Sequence, residues 1–123
     1  MLLTLDALLT AEELATARGM LARSPWVSGQ VTAGPQAAQV KQNQQLSETA
    51  PHLPALRELV LGALHRSPLF FSAALPLRIL TPFFNRYSGV SNHYGYHVDN
   101  ALRASPGGGY VRADVSATLF LSE

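Results

Sequence analysis

The sequence has 123 residues, enough for one domain or part of one, and a chain this long can bury roughly two-thirds of its unfolded surface in a single core. Apolar residues make up 47% and charged residues 14%, far from the composition of a disordered segment. Nine Lys and Arg against eight Asp and Glu leave a net charge of +1 with no basic run, which argues against a surface that tracks phosphates; the absence of Cys excludes a disulfide scaffold, a thiolate zinc site and a Cys nucleophile together.

Met1–Thr10 is apolar but has no positive n-region, and Asp6 interrupts it, so neither a signal peptide nor a membrane span is read there. A soluble, cytoplasmic protein with no nucleic-acid or membrane partner is the expectation. The first helix is predicted from about Ala11 to Arg23. Thr10 suits the N-cap, Glu13 can close a capping box, and Leu9 and Leu14 occupy the staple positions. Leu14, Ala17 and Leu21 mark its apolar stripe, and Ser24-Pro25 ends it. Trp26–Val31 reads as a strand. The glutamine-rich stretch Thr32–Ala50 reads as a long, partly irregular connection. A second helix is predicted from about Pro54 to His65, with Leu56, Leu59, Val60, Ala63 and Leu64 on its core face.

Beyond Ser67-Pro68 the texture changes to short apolar or aromatic runs, Leu69–Phe71, Leu77–Leu80 and Phe83–Tyr87, broken by Pro76 and Pro82. His93–Asp99 follows, then the turn-rich Ser105–Gly109, then an alternating Val111–Leu121. Two helices followed by strands give an α+β order rather than βαβ repeats. The last predicted strand would leave a hydrophobic edge, and such edges are normally paired or covered. Either the partner strands come from another chain, as in a homo-oligomer, or the polypeptide is the front part of a larger domain.

The chemistry is concentrated in Asn85–Asn100, NRYSGVSNHYGYHVDN. On an extended strand His97 and Asp99 share a face with Cα atoms about 6.6 Å apart, close enough for both to reach one metal ion. An imidazole nitrogen with a hard carboxylate oxygen suits a redox-capable divalent metal, and two His with one carboxylate is the ligand set of non-haem Fe(II) oxygenases. His-x-Asp alone is common, and a solvated strand-end pair explains an isolated match equally well. His93 and His97 are spaced i, i+4, but Tyr94-Gly95-Tyr96 between them lacks the Glu of a zinc-protease helix. On a strand they would lie about 13 Å apart, so His93 reads as a rim residue. Capping or exposure accounts for His52 and His65. Pro106-Gly107-Gly108-Gly109 lacks the ending of a phosphate loop and reads as a mobile turn. Arg103 is read as a solvated loop residue, Arg112 and Asp114 as exposed or paired, and the Phe70-Phe71 and Phe83-Phe84 pairs as packing.

The segments FNRY (Phe84–Tyr87), YGYHVDNA (Tyr94–Ala101) and RADVSATLFLSE (Arg112–Glu123) closely resemble the PKHD-type, prolyl-hydroxylase-like family of Fe(II)/2-oxoglutarate dioxygenases, in its iron-uptake-linked bacterial branch. Trp26–Leu46 and Pro68–Tyr87 are similar to the same family's leader region, so the resemblance runs almost end to end. It implies N-terminal helices packed on a double-stranded β-helix, or jelly-roll, core that is incomplete in this chain. Residues 1–76 would be the helical leader and 77–123 the first strands of that core. It also implies an oxidoreductase, a metal-binding hydroxylase that uses iron and O₂, decarboxylates 2-oxoglutarate to succinate and hydroxylates a C–H bond of a small-molecule or peptide substrate, with L-ascorbate as auxiliary reductant.

Carried over residue by residue, the resemblance makes His97 and Asp99 the first two iron ligands. Tyr94 matches a tyrosine that touches 2-oxoglutarate, which requires the strand to bend, for instance at Gly95, since strict alternation would turn it away from His97. Asn85 and Tyr87 match an Asn-x-Tyr pair with the same role in related demethylases; a turn Asn and a half-buried strand Tyr are the ordinary alternatives. The family's third ligand, a distal His, and the Arg or Lys that anchors 2-oxoglutarate fall beyond the segment corresponding to Leu121. The chain as written is therefore expected to be an N-terminal piece that does not turn over alone. A non-catalytic β-helix module that binds a small ligand or partner is the alternative.

Overall fold

The computed structural model describes residues 1–29, 41–88, 93–94 and 100–122. The first helix, α1 (Ala11–Ala22), is fixed at its first turn. The Thr10 hydroxyl accepts from the Glu13 backbone N–H at 3.1 Å, and the Glu13 carboxylate accepts from the Thr10 N–H at 2.9 Å. This is the reciprocal box that Thr10-x-x-Glu13 predicts, and it satisfies two of the donors a helix start leaves open. Ala17 is fully buried, and Leu9, Leu14 and Leu21 are half-buried.

The second helix, α2 (Leu53–His65), begins one residue before the predicted start and takes Pro54 into its first turn. Leu53, Leu56, Val60 and Ala63 are buried at steps of three and four, with Leu59 and Leu64 half-buried beside them. That spacing puts one stripe in the core, and each buried Leu or Val contributes about 1.5–3 kcal/mol. His65 caps nothing beyond its own helix: its Nδ1 lies 2.8 Å from the Leu61 carbonyl oxygen. His52 occupies the N-cap of α2 with no side-chain cap bond.

A third helix corrects the sequence reading. Pro68–Ala74 forms α3, where Leu69–Phe71 was expected to open the strand region. Ser67 is its N-cap, accepting from the Phe70 N–H at 3.2 Å, and Pro68 fills the first turn, where its missing N–H costs nothing. Phe70 is buried and meets Phe71 edge to face at 5.6 Å. The helix ends on Leu75 in the left-handed region, φ 47° and ψ 53°. Leu77–Leu80 forms no strand.

The strands are β1 (Trp26–Ser28), β2 (Lys41–Gln42), β3 (Gln44–Leu46), β4 (Asn85–Arg86), β5 (His93–Tyr94), β6 (Leu102–Ala104) and β7 (Tyr110–Arg112). β3 is central, antiparallel to β1 on one side and β4 on the other. Trp26 pairs with Leu46 and Ser28 with Gln44; Gln45 pairs with both Val27 and Asn85. The glutamine-rich stretch expected to be a connection thus supplies the middle strand, with Leu46 and Gln45 almost wholly buried. β6 and β7 form a hairpin whose Ser105–Gly109 turn is the one expected, with Gly107, Gly108 and Gly109 all at positive φ. Residues 113–122 form no strand, and Val115 and Phe120 stand 63% and 81% exposed. Of the predicted strand Val111–Leu121 only the start forms, as the end of β7.

The chain divides into two compact units. Met1–Arg23, Pro51–Pro82 and Val115–Glu123 form one, built on the helices α1, α2 and α3; Ser24–Ala50 and Phe83–Asp114 form the other and contain the described strands β1 to β7. The predicted α+β class holds among the described residues, as three helices and small antiparallel sheets, but not the helices-then-strands order, since β1–β3 lie between α1 and α2; the described residues form no closed barrel. No helix among them is long and apolar enough to cross a membrane.

Candidate functional site

Main-chain pairing along Lys41–Leu46 organises the site. β2 pairs with β5, setting Lys41 opposite Tyr94 and Gln42 opposite His93; β3 pairs with β4, setting Gln44 opposite Arg86 and Gln45 opposite Asn85. Asn85 and Tyr94, two of the three residues expected to touch 2-oxoglutarate, are therefore registered on one six-residue stretch. Their partner positions are four residues apart, about 13 Å along a strand. Tyr87 follows β4 and is 47% exposed. His97 and Asp99, three and five residues past Tyr94, lie outside the described residues, as does Gly95. Among the described residues no group of three or more His, Asp or Glu converges as a metal site.

β4 is held firmly. The Arg86 guanidinium donates to Gln44 Oε1, with Nε at 2.9 Å, and its carbon sits 4.4 Å from the centre of the Trp26 ring. One cation thus ties together β4, β3 and β1, combining a cross-strand hydrogen bond with attraction to the ring face. Gln45 and Asn85, adjacent to this row, project to the opposite face because strand side chains alternate.

On that face is a residue the sequence reading passed over. Asn43, between β2 and β3, is 4% exposed. Its carbonyl accepts from the Gly29 N–H at 3.0 Å, and its side-chain Nδ2 donates to Asn85 Oδ1 at 3.2 Å. Its own Oδ1 is buried with no partner among the described residues. An unpaired buried acceptor costs about 1–3 kcal/mol, at least as much as the one hydrogen bond returns, so the pair is a poor stabiliser of the fold. The signal was the alternation of Asn43 and Gln45 within Lys41–Leu46, hidden by its polarity. Asn85, exposed in β4, is a paired strand residue rather than a turn residue.

Arg103, Arg112 and Asp114 occupy ordinary places. Arg103 lies in β6, half-buried rather than in a solvated loop, with its guanidinium 5.8 Å from the Phe83 ring. Arg112 Nε and Asp114 Oδ1 pair at 2.8 Å on the surface. The open concavity lined by Phe71, Ser72, Leu75 and Pro76 has no titratable side chain and belongs to the helical unit.

The chain is similar along its whole length to curated proteins named as hydroxylases. A PKHD-type hydroxylase of Azoarcus sp. (strain BH72) is 71% identical over 123 residues, which is 100% of this chain and 54% of that protein. One from Nitrosomonas europaea is 69% identical over 124 residues, 100% of this chain and 55% of that protein. One from Variovorax paradoxus is 53% identical over 123 residues, 99% of this chain and 54% of that protein. No family model matches the chain. The chain is similar from end to end to PKHD-type hydroxylases and spans about half the length of the curated relatives it matches.

Proposed function

We propose that the protein to which this chain belongs is an Fe(II)- and 2-oxoglutarate-dependent hydroxylase of the jelly-roll class, and that His97 and Asp99 are iron ligands. The observation that carries the reading is the 71% identity to a PKHD-type hydroxylase across the whole chain; this chain's own sequence supplies His97-Val98-Asp99. The donor set fits the metal: a neutral imidazole and a carboxylate are what a non-haem Fe(II) centre takes from a protein. When bound, iron with 2-oxoglutarate and O₂ supplies the oxidising chemistry, and L-ascorbate serves as auxiliary reductant.

This chain's own groups bind and orient. His97 offers a ring nitrogen and must be neutral to do so; Asp99 offers an anionic oxygen that offsets the metal's charge. Asn85, exposed on β4, offers an amide to a carboxylate of the co-substrate, and Tyr87 and Tyr94 are the phenols that the resemblance assigns to the same ligand. Registering Asn85 and Tyr94 on the one stretch Lys41–Leu46 supports a shared site for them. The substrate is a small molecule or peptide with an oxidisable C–H bond.

The test is anaerobic calorimetric titration of 2-oxoglutarate into the chain with and without Mn(II). The reading expects affinity to rise with the metal and to fall in Asn85→Ala. Affinity that ignores both the metal and Asn85 contradicts it.

A further inference from the structure

We infer that Asn43 is a positioning residue for Asn85, turning its amide so that the N–H₂ faces outward as a donor to a carboxylate ligand. The inference deepens the reading of Asn85 as a 2-oxoglutarate contact and rests on it. An asparagine amide has a donor end and an acceptor end, and its terminal torsion is soft, so an exposed Asn has little intrinsic preference for which end it presents. Here the choice is made from below. Asn43 Nδ2 donates to Asn85 Oδ1 at 3.2 Å, which occupies the Asn85 oxygen and leaves its nitrogen as the outward group. No other hydrogen bond from the Asn85 side chain reaches a described residue.

The reference point is rigid. Asn43 is 4% exposed, continues directly into the central strand, and has its carbonyl tied to the Gly29 N–H at 3.0 Å. Its Oδ1 lacks a partner among the described residues, so an apolar side chain of the same size would serve packing at least as well. What an apolar side chain would not do is fix the Asn85 amide. Carboxylates are acceptors only, so an outward N–H₂ attracts one and an outward carbonyl oxygen repels it. The orientation therefore decides whether the strand face accepts or rejects an anionic ligand.

Two measurements test this. The first needs no ligand: in nitrogen-15 spectra of the chain, solvent exchange of the Asn43 side-chain amide protons is slow and that of the Asn85 amide protons is fast. The reverse order overturns the inference. The second is titration of 2-oxoglutarate into the Mn(II)-loaded chain at pH 8. Asn43→Asp replaces the donor with an acceptor and forces the Asn85 N–H₂ inward, so affinity falls about tenfold or more, the loss of one hydrogen bond to a charged group. Asn43→Leu lowers affinity while the melting temperature holds. Unchanged affinity in both variants, or a lowered melting temperature with unchanged affinity in Asn43→Leu, overturns the inference. Should Asn43→Leu fail to fold, Asn43→Asp and the exchange rates still decide. A wild-type chain that binds no 2-oxoglutarate contradicts the functional reading instead, and exchange then settles the amide orientation alone.

Discussion

Glu13 and Arg66 join two helix ends. The Glu13 carboxylate that closes the α1 capping box also receives the Arg66 guanidinium from the C-cap of α2, with Nη1 to Oε2 at 2.8 Å, while Arg66 Nη2 reaches the Leu8 carbonyl at 3.1 Å. The Arg66 hydrogen bond first, and the Thr10 backbone N–H second, draw the Glu13 carboxyl from its ordinary 4.5 down to about 2. A carboxyl lowered on folding stabilises the native state above its unfolded value and loses that contribution as pH falls toward the folded one. The helical unit is therefore expected to weaken between about pH 4.5 and pH 2. Thermal melts should show Glu13→Gln below wild type at pH 6 and the two curves converging near pH 2. A gap that persists at pH 2 would assign the effect to something other than the ionised carboxylate.

Leu75 closes α3 in a left-handed conformation that residues other than Gly rarely adopt, φ 47°, while the residue is 80% exposed. Little burial is lost by removing its side chain. The left-handed penalty of about 1–2 kcal/mol is partly offset by the extra unfolded freedom of glycine. Leu75→Gly should stabilise the chain by up to about 1 kcal/mol in urea unfolding, against the usual direction for a new glycine. A destabilised variant would mean that the Leu75 side chain does more than the structure assigns to it.

Arg86 links β4 to Trp26, the single tryptophan of the sequence. Arg86→Ala should cost about 0.5–1 kcal/mol and shift the emission of Trp26, because the cation over its ring is gone. Asn85 sits one residue earlier on the same short strand, so the amide resonances of Asn85 should move in the same variant. Unchanged tryptophan emission would show that the contact is not populated in solution.

Local signals carried the helices well and the sheets poorly. Thr10 and Glu13 announce α1 because a capping box is a contact between neighbours in sequence, and the Leu53–Ala63 stripe announces α2 through its period. The α3 signal was equally local, Ser67 as N-cap before Pro68, but the aromatic run Phe70-Phe71 drew the reading toward a strand. β3 was missed for the opposite reason: Gln44 and Gln45 are polar, and their strand exists because β1 and β4 flank it and supply partners from distant parts of the chain. The alternation of Val115, Ala117, Leu119 and Leu121 shows the converse, since period two says which side chains share a face and nothing about whether a neighbouring strand is there. Asn43 was passed over because its alternation with Gln45 is polar and its hydrogen-bond partner Asn85 lies 42 residues away. The resemblance to PKHD-type hydroxylases, read from joined motifs, agrees with the relatives found across the whole chain.

His97 and Asp99 as ligands to one divalent ion are the centre of the proposed function. Calorimetric titration of Mn(II) into the wild-type chain, His97→Ala and Asp99→Ala tests it most directly. Saturable one-to-one binding in the wild type that weakens more than about tenfold in each variant is the predicted result, since even supporting residues of a metal site cost that much. Binding that survives both substitutions, or none in the wild type, would contradict it.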